Sequence, residues 1–239
     1  MSIVVPAVLP SSKRELEEKL ALFASIPAVS RVQIDVVDGK FASPVSWPYT
    51  VPKELQTMVA RGEMLPHLDR LAYEIDLMCL DAEQVAGAWL ALGATRLTFH
   101  AESAPDLARL LLSMRRQYGT GDGFASDLIS FGLAINIASD LALIEPFLKE
   151  IEYVQFMGIS RIGRQGQPFD RRVYEKIRLF HKRHPDVVLQ VDGGVSLENA
   201  RELAVLGVSN LVVGSALSRV ARPSTVFAAF EALQSPYGV

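Results

Sequence analysis

Short runs of hydrophobic, often β-branched residues alternate along the chain with longer segments in which hydrophobic residues recur every three or four positions. The short runs predict eight strands, at residues 3–8, 31–36, 72–78, 96–100, 132–136, 153–157, 187–191 and 210–213. The longer segments predict helices, and Leu16, Leu20 and Phe23, for example, would share one helix face. Predicted helix starts are residues suited to the N-cap or first turn, namely Ser11, Asp81, Ser103, Ser139, Asp170 and Ser196.

Strands that alternate with helices predict an all-parallel sheet with the helices outside it. Eight such strands close into a barrel at about this chain length, so we predict an α/β fold, a (β/α)8 TIM barrel forming one domain over residues 1–239. The alternative is an open doubly wound sheet, which normally carries a glycine-rich fingerprint after its first strand. The sequence AVLP at residues 7–10 stands there instead, which favours the barrel.

Charge and composition narrow the range of partners. A net charge of -3 and an isoelectric point near 5.8 argue against nucleic acid or an anionic membrane as the main partner. The chain has one cysteine, Cys79, which excludes an internal disulfide and suits a reducing compartment. The sequence shows neither a basic leader nor a hydrophobic run of membrane-spanning length, so we expect a cytoplasmic protein.

Polar side chains stand at the C-terminal ends of several predicted strands. Because active-site groups of TIM barrels lie at this end, Asp35, Asp76, His100 and Asp192 should surround the barrel mouth. Gln33 shares a strand face with Asp35. Three converging carboxylates repel one another, and a metal ion, a substrate cation or a retained proton would resolve the conflict. Aspartates also cap turns, but three of them at separate strand ends favour a functional site.

Glycines follow the last two predicted strands. Gly193 and Gly194 come after the seventh, and Gly214 followed by Ser215 comes after the eighth. Glycine lets backbone N–H groups approach an anion closely, and a short helix beginning at Ser215 would add its positive N-terminus. A Gly-Gly pair alone is more typical of a tight turn. Two glycine sites after the last two strands predict the phosphate site that these barrels usually have there.

Five motifs, in order and spacing, resemble those of the ribulose-phosphate 3-epimerase family over nearly the whole chain. They are IDVVDG at residues 34–39, LTFHAE at 97–102, GLAIN at 132–136, QVDGGV at 190–195 and VGSA at 213–216. The resemblance implies a TIM barrel of the ribulose-phosphate-binding type. It also implies an isomerase of carbohydrate metabolism that inverts the carbon next to the ketone of a phosphorylated ketose.

The resemblance also implies roles for individual residues. Asp35 and Asp192 would be the two acid/base residues, one removing a proton from one face of the sugar and the other returning a proton on the opposite face. Met78 and Met157 would lie beside the enediolate intermediate. His100, which the strand pattern places at the mouth, would contact the substrate or have a structural hydrogen-bonding role. The phosphate would be held by Gly193, Gly194, Gly214 and Ser215. A phosphorylated ketose is the expected partner and a homo-oligomer the expected assembly.

The metal-binding positions depart from the family pattern. The family binds a divalent metal with two histidines and the two aspartates, and the histidine positions here are Gln33 and Asp76. Imidazole ligands suit zinc and iron. The oxygen-only set of Gln33, Asp35, Asp76 and Asp192 suits magnesium or manganese.

Three other positions also differ from the family. Ala7 replaces a serine that helps to hold the substrate, and Val37 replaces a methionine. The loop after the sixth strand reads SRIGRQGQ at residues 160–167, which adds Arg161 and Arg164. These arginines compensate for weak metal binding, recognise a second anionic group, or are simply solvated on the surface.

Three functions remain open on the sequence. The first is a sugar-phosphate 3-epimerase that uses Asp35 and Asp192. The second is a non-catalytic barrel that binds a phosphorylated ligand, and the third is another phosphosugar reaction, such as an aldol-type cleavage. Retention of both aspartates favours the first, and loss of both histidines favours the second.

Overall fold

The computed structural model describes residues 3–119, 128–218 and 220–234. It shows a closed barrel of parallel strands in which each strand pairs with the next and β1 pairs with β8, so the predicted (β/α)8 barrel is confirmed. The strands are β1 (Ile3–Val8), β2 (Arg31–Val37), β3 (Ala72–Met78), β4 (Arg96–His100), β5 (Ser130–Ile135), β6 (Tyr153–Met157), β7 (Val188–Asp192) and β8 (Val208–Val213). The described α-helices are α1 (Lys13–Ala24), α2 (Pro52–Ala60), α3 (Ala82–Ala91), α4 (Leu107–Met114), α5 (Arg172–Arg183), α6 (Leu197–Val205), α7 (Ser215–Ser218) and α8 (Pro223–Gln234). None of these helices is long and apolar enough to span a membrane.

Pairing with neighbouring strands shifts several predicted boundaries. Strand β5 begins two residues earlier than predicted, because Ser130 pairs with Arg96 of β4. It ends at Ile135, one residue before the predicted end at Asn136. Strand β7 is displaced by one residue and includes Asp192, which pairs with Val212 of β8. Strand β8 begins at residue 208 rather than 210. A hydrophobic run alone does not show which flanking residues find a partner strand.

Helix starts differ where a nearby side chain makes a better cap. Ser12, not Ser11, caps α1. Helix α4 begins after Asp106, whose Oδ1 accepts from Arg109 N at 2.9 Å, while Ser103 belongs to the preceding turn. The predicted helix after β5 is replaced by two 3-10 turns, Leu141–Leu143 and Glu145–Phe147. Proline in the second turn has no N–H for a continuing α-helix.

The main hydrophobic core lies between the barrel wall and the outer helices. Leu16, Leu20 and Phe23 of α1 are buried together against the strands, as their spacing predicts. Elsewhere in this layer the buried Trp47 and Trp89 rings meet edge to face, with centroids 5.7 Å apart. Aromatic pairs of this geometry add to the stabilisation from burial.

The inside of the barrel is polar, although the interior of a TIM barrel is usually filled by branched hydrophobic side chains. At its lower end, Glu74 is fully buried and its Oε2 accepts from Arg96 Nε at 3.0 Å. The Arg96 guanidinium lies 3.8 Å from the centroid of the Tyr153 ring. A Cβ at Gly132 would lie 2.3 Å from that ring, so only glycine leaves room for it. The barrel therefore contains charged and polar layers that continue upward into the candidate site.

Candidate active site

Three carboxylates meet at the C-terminal ends of the strands. Strand register places Asp35 beside Asp76, and Met157 beside Asp192. One oxygen from each of Asp35, Asp76 and Asp192 lies within 4.8 Å of the other two. All three side chains are buried, Asp76 completely. The structure thus brings together the acids that the sequence placed on separate strands.

The amide of Gln33 joins the two predicted acid/base residues. Its Nε2 donates to Asp35 Oδ1 at 2.8 Å and to Asp192 Oδ2 at 2.9 Å. Gln33 reaches Asp35 because residues two apart on a strand share a face. The two carboxylates are therefore held by one neutral donor, and their nearest oxygens are fixed relative to each other.

A network of buried glutamines sets the orientation of that amide. Gln190 Nε2 donates to Gln155 Oε1 at 2.8 Å and to Gln33 Oε1 at 3.4 Å, and it also donates to Glu74. Gln155 Nε2 in turn donates to Asp76 Oδ2 at 3.1 Å. The amide nitrogens of Gln33 and Gln155 consequently face the central acids, and the amide oxygens of both accept from Gln190. Gln33 thus presents its amide nitrogen, which does not bind cations, to the carboxylates, and its role as a metal ligand stays a prediction.

His100 pairs with Asp76 and lies outside the described lining of the cavity above the acids. Its Nε2 is 3.0 Å from Asp76 Oδ1, and both side chains are fully buried. Burial by itself would lower the pKa of His100, but the charge and hydrogen bond of Asp76 raise it above its ordinary value. The structure thus gives His100 a buried hydrogen-bonding role beside Asp76, and its contact with a substrate stays a prediction.

Burial and mutual repulsion make the central acids hard to ionise. Burial raises the pKa of Asp35 well above its ordinary value, and the charges of Asp192 and Asp76 raise it further. Burial and the charge of Asp76 raise the pKa of Asp192 to about 7, against the opposing effects of Gln33 and His100. Both carboxyl groups are therefore protonated more easily than an ordinary aspartate.

A cavity lies directly above the acids. Asp35 and Asp192 line it together with Met78 and Met157, so the four predicted residues are brought together at its base. Its lining also includes the predicted phosphate-binding residues, Gly193, Gly194, Gly214 and Ser215. A ligand in this cavity would contact both acids and the glycine turns at once.

The glycines are required by the shape of the turns after β7 and β8. Gly193 and Gly194 have φ angles of +99° and +68°, which other residues rarely adopt. A Cβ at Gly194 would lie 2.7 Å from Phe169 Cα, and one at Gly214 would lie 2.8 Å from Gln165 Nε2. The absence of side chains at these glycines thus lets the two turns pack closely against the loop after β6 at this end of the cavity.

The loop after β6 closes over the same cavity. Gln165 lines it, and its Nε2 donates to Ala7 O at 3.2 Å. The Gln165 side chain also hydrogen bonds to Asp35. Sequence reasoning named this loop only for Arg161 and Arg164, and it missed Gln165 and the network residue Gln155. The signal for Gln155 was present, since a polar residue at an inward position of a hydrophobic strand must find a buried partner.

Known proteins resemble this chain in sequence and in fold. Residues 3–218 match the sequence model of the family described as Ribulose-phosphate 3 epimerase family. The chain belongs to this family. Ribulose-phosphate 3-epimerase from Escherichia coli (strain K12) is 25% identical over 219 residues, which cover 90% of this chain and 88% of the relative. The Bacillus subtilis (strain 168) ribulose-phosphate 3-epimerase is 27% identical over 192 residues, covering 78% of each chain.

Solved structures of the same fold include 3-hexulose-6-phosphate synthase from Salmonella typhimurium, with a TM-score of 0.66, 14% identity and 98% of each chain covered. KGPDC from Streptococcus mutans has a TM-score of 0.65 and 12% identity, with 98% of this chain and 97% of that chain covered. At these identities the similarity establishes the fold alone. The match to the epimerase family identifies the chain as an isomerase that processes a phosphosugar.

The metal expected for the ribulose-phosphate 3 epimerase family fits this site only with a changed ligand set. Asp35, Asp76 and Asp192 offer carboxylate oxygens close enough to hold a divalent ion. Gln33 presents nitrogen, and His100 Nε2 already contacts Asp76. Carboxylate oxygens alone suit a hard cation rather than zinc or iron, which favour nitrogen and sulfur ligands.

Proposed function

We propose that the chain is a 3-epimerase of a phosphorylated ketose, with Asp35 and Asp192 as its acid/base pair. The observation that carries this proposal is the arrangement of these two carboxylates at the base of the cavity, joined by the Gln33 amide at 2.8 and 2.9 Å. The names of the relatives and the family match support the same reaction.

Epimerisation through an enediolate needs one carboxylate to accept a proton and one carboxylic acid to donate a proton on the other face. The raised pKa values of Asp35 and Asp192 meet this need, because a pair that holds one proton near neutral pH contains both forms. Either residue serves as the base, according to which epimer is bound. Each turnover leaves the proton on the opposite carboxylate, so the reverse reaction uses the same two residues.

The rest of the cavity would position the ketose. The backbone at Gly193, Gly194 and Gly214, with the Ser215 hydroxyl, would bind the phosphate group. Met78 and Met157 would pack against the reacting carbons and keep water away from the enediolate. A divalent cation, magnesium or manganese by its ligands, would be held by Asp35, Asp76 and Asp192 and would supply positive charge to the enediolate oxygens.

Solvent exchange tests this proposal. Wild-type protein incubated with pentulose or hexulose phosphates in deuterated water should form the second epimer with deuterium at the inverted carbon, detected by NMR. Asp35→Asn and Asp192→Asn should each abolish epimerisation while both proteins stay folded and still bind phosphate. Asp186→Asn, an exposed aspartate, is the control.

Two outcomes contradict an epimerase. Wild-type protein that binds ketose phosphates but shows no exchange with any added divalent ion would be a binding protein. Cleavage of the ketose into two shorter products would identify an aldol-type reaction instead.

A further inference from the structure

A second concave surface lies beside the candidate active site. This basic groove is formed by the loops that follow β2, β5 and β6. Its basic side chains are Lys40, Arg161, Arg164 and Arg172, and the described residues that line it include no aspartate or glutamate. The whole chain has a net charge of -3, so this is a local concentration of positive charge.

Three of the four cations in the basic groove lack an acidic partner. Arg172 is neutralised by Asp170, with Nη2 and Oδ2 2.6 Å apart. Lys40, Arg161 and Arg164 are exposed and form no ion pair with any residue in the described parts of the chain. Like charges gathered in one concave surface repel, and an oxyanion bound among them would relieve that repulsion.

The walls of the basic groove are already positioned. Arg164 Nε donates to Ser43 O at 3.1 Å, which holds the guanidinium against the loop after β2. A Cβ at Gly163, whose φ is +83°, would lie 3.1 Å from Ser43 N, so the two loops pack closely. On the opposite wall, Lys176 Nζ donates to Ile137 O at 3.3 Å and also to Ser139 O. The groove thus exists before any ligand is bound.

Arg164 lines both the basic groove and the active-site cavity. The glycine turns that would hold the first phosphate line the cavity but not the groove. A ketose phosphate bound between Asp35 and Asp192 would therefore have one end at the glycines and could direct its other end past Arg164.

We propose that the basic groove is a second oxyanion site, which binds a phosphate or carboxylate group at the opposite end of the substrate. The preferred substrate is then a ketose phosphate with a second anionic group, such as a ketose bisphosphate. This substrate assignment rests on the proposed function, whereas the anion site itself does not. Arginine and lysine donors suit such a group because charge-assisted hydrogen bonds to oxyanions are strong.

The test compares binding of a pentulose 5-phosphate, a pentulose 1,5-bisphosphate and inorganic phosphate by calorimetry at low ionic strength, where exposed charges are least screened. The variant is the double substitution Lys40→Gln and Arg161→Gln. Its matched control, Lys182→Gln with Arg201→Gln, removes two exposed charges from α5 and α6. Wild type and control should bind the bisphosphate about tenfold more tightly than the monophosphate, and the groove variant should lose that preference.

The inorganic phosphate titration separates the possible sources of the anion. If the bisphosphate shows no advantage but the groove variant loses one of two bound phosphates, the anion site is supported and the assignment of a substrate with two anionic groups is overturned. Gly214→Asp should remove the other phosphate. If the groove variant matches the wild type with all three ligands, the proposal is overturned. These results do not depend on turnover, so failure of the epimerase proposal would be seen separately in the exchange assay.

Discussion

Replacing Gln33 by methionine would remove the donor that joins Asp35 and Asp192 while keeping a side chain of similar size. Gln33 is fully buried, and its two hydrogen bonds to these acids are 2.8 and 2.9 Å long. A hydrogen bond to a charged group contributes about 1.5–3 kcal/mol, and one pKa unit corresponds to about 1.36 kcal/mol. The pKa of whichever carboxylate acts as base should therefore rise by about one to two units.

The assay is the pH profile of epimerisation at a constant concentration of added divalent ion. A base is active only when ionised, so a higher pKa moves the acidic limb of the profile toward higher pH by about one to two units. Gln155→Met is the matched control: it removes another buried amide of the same network, which donates to Asp76, but leaves both hydrogen bonds from Gln33 to the acid/base pair in place. Its acidic limb should lie closer to that of the wild type than the limb of Gln33→Met does.

One result would refute this account of Gln33. Gln33→Met must first be shown to unfold at a temperature near that of Gln155→Met and to bind the ketose phosphate normally. The acidic limb of its pH profile must then differ from that of the wild type. An unchanged limb would mean that the amide does not control ionisation of the pair.

Three further predictions concern stability, phosphate and metal. Folding raises the pKa of Asp192 from 3.8 to about 7, so between these pH values the folded state binds a proton that the unfolded state has lost. The free energy of unfolding should therefore fall as pH rises through this range, by on the order of 4 kcal/mol for an isolated group. Urea unfolding with a chelator present should show this decline, and Asp192→Asn should flatten it; equal slopes in both proteins would contradict the assigned pKa. Gly214→Asp should abolish ketose-phosphate binding in calorimetry, because its side chain would meet Gln165 and its charge would repel phosphate; unchanged affinity would place the phosphate elsewhere. Elemental analysis of purified protein should show no tightly held zinc or iron, and one zinc per chain would refute an oxygen-only ligand set.

The amino-acid sequence by itself determined the barrel and the position of its acids. The alternation of short and long hydrophobic periods is a local property, and it locates strands and helices to within one or two residues in most units. Asp35, Asp76 and Asp192 could be assigned to the mouth because every parallel strand ends on the same side. The glycines that follow β7 and β8 could be assigned to the same mouth for the same reason.

The tertiary structure decided how these residues are connected. Gln33 and Asp192 are 159 positions apart, and only barrel closure brings the amide nitrogen of one to the carboxylate of the other. The sequence indicated that a glutamine had replaced a metal ligand. A sequence does not show, however, whether the amide oxygen or the amide nitrogen of that glutamine faces the site. Their orientation depends on Gln190 and Gln155, which lie on other strands. In the same way, His100 became the partner of Asp76 because adjacent strands place both inside a barrel where an unpaired charge would be strongly unfavourable.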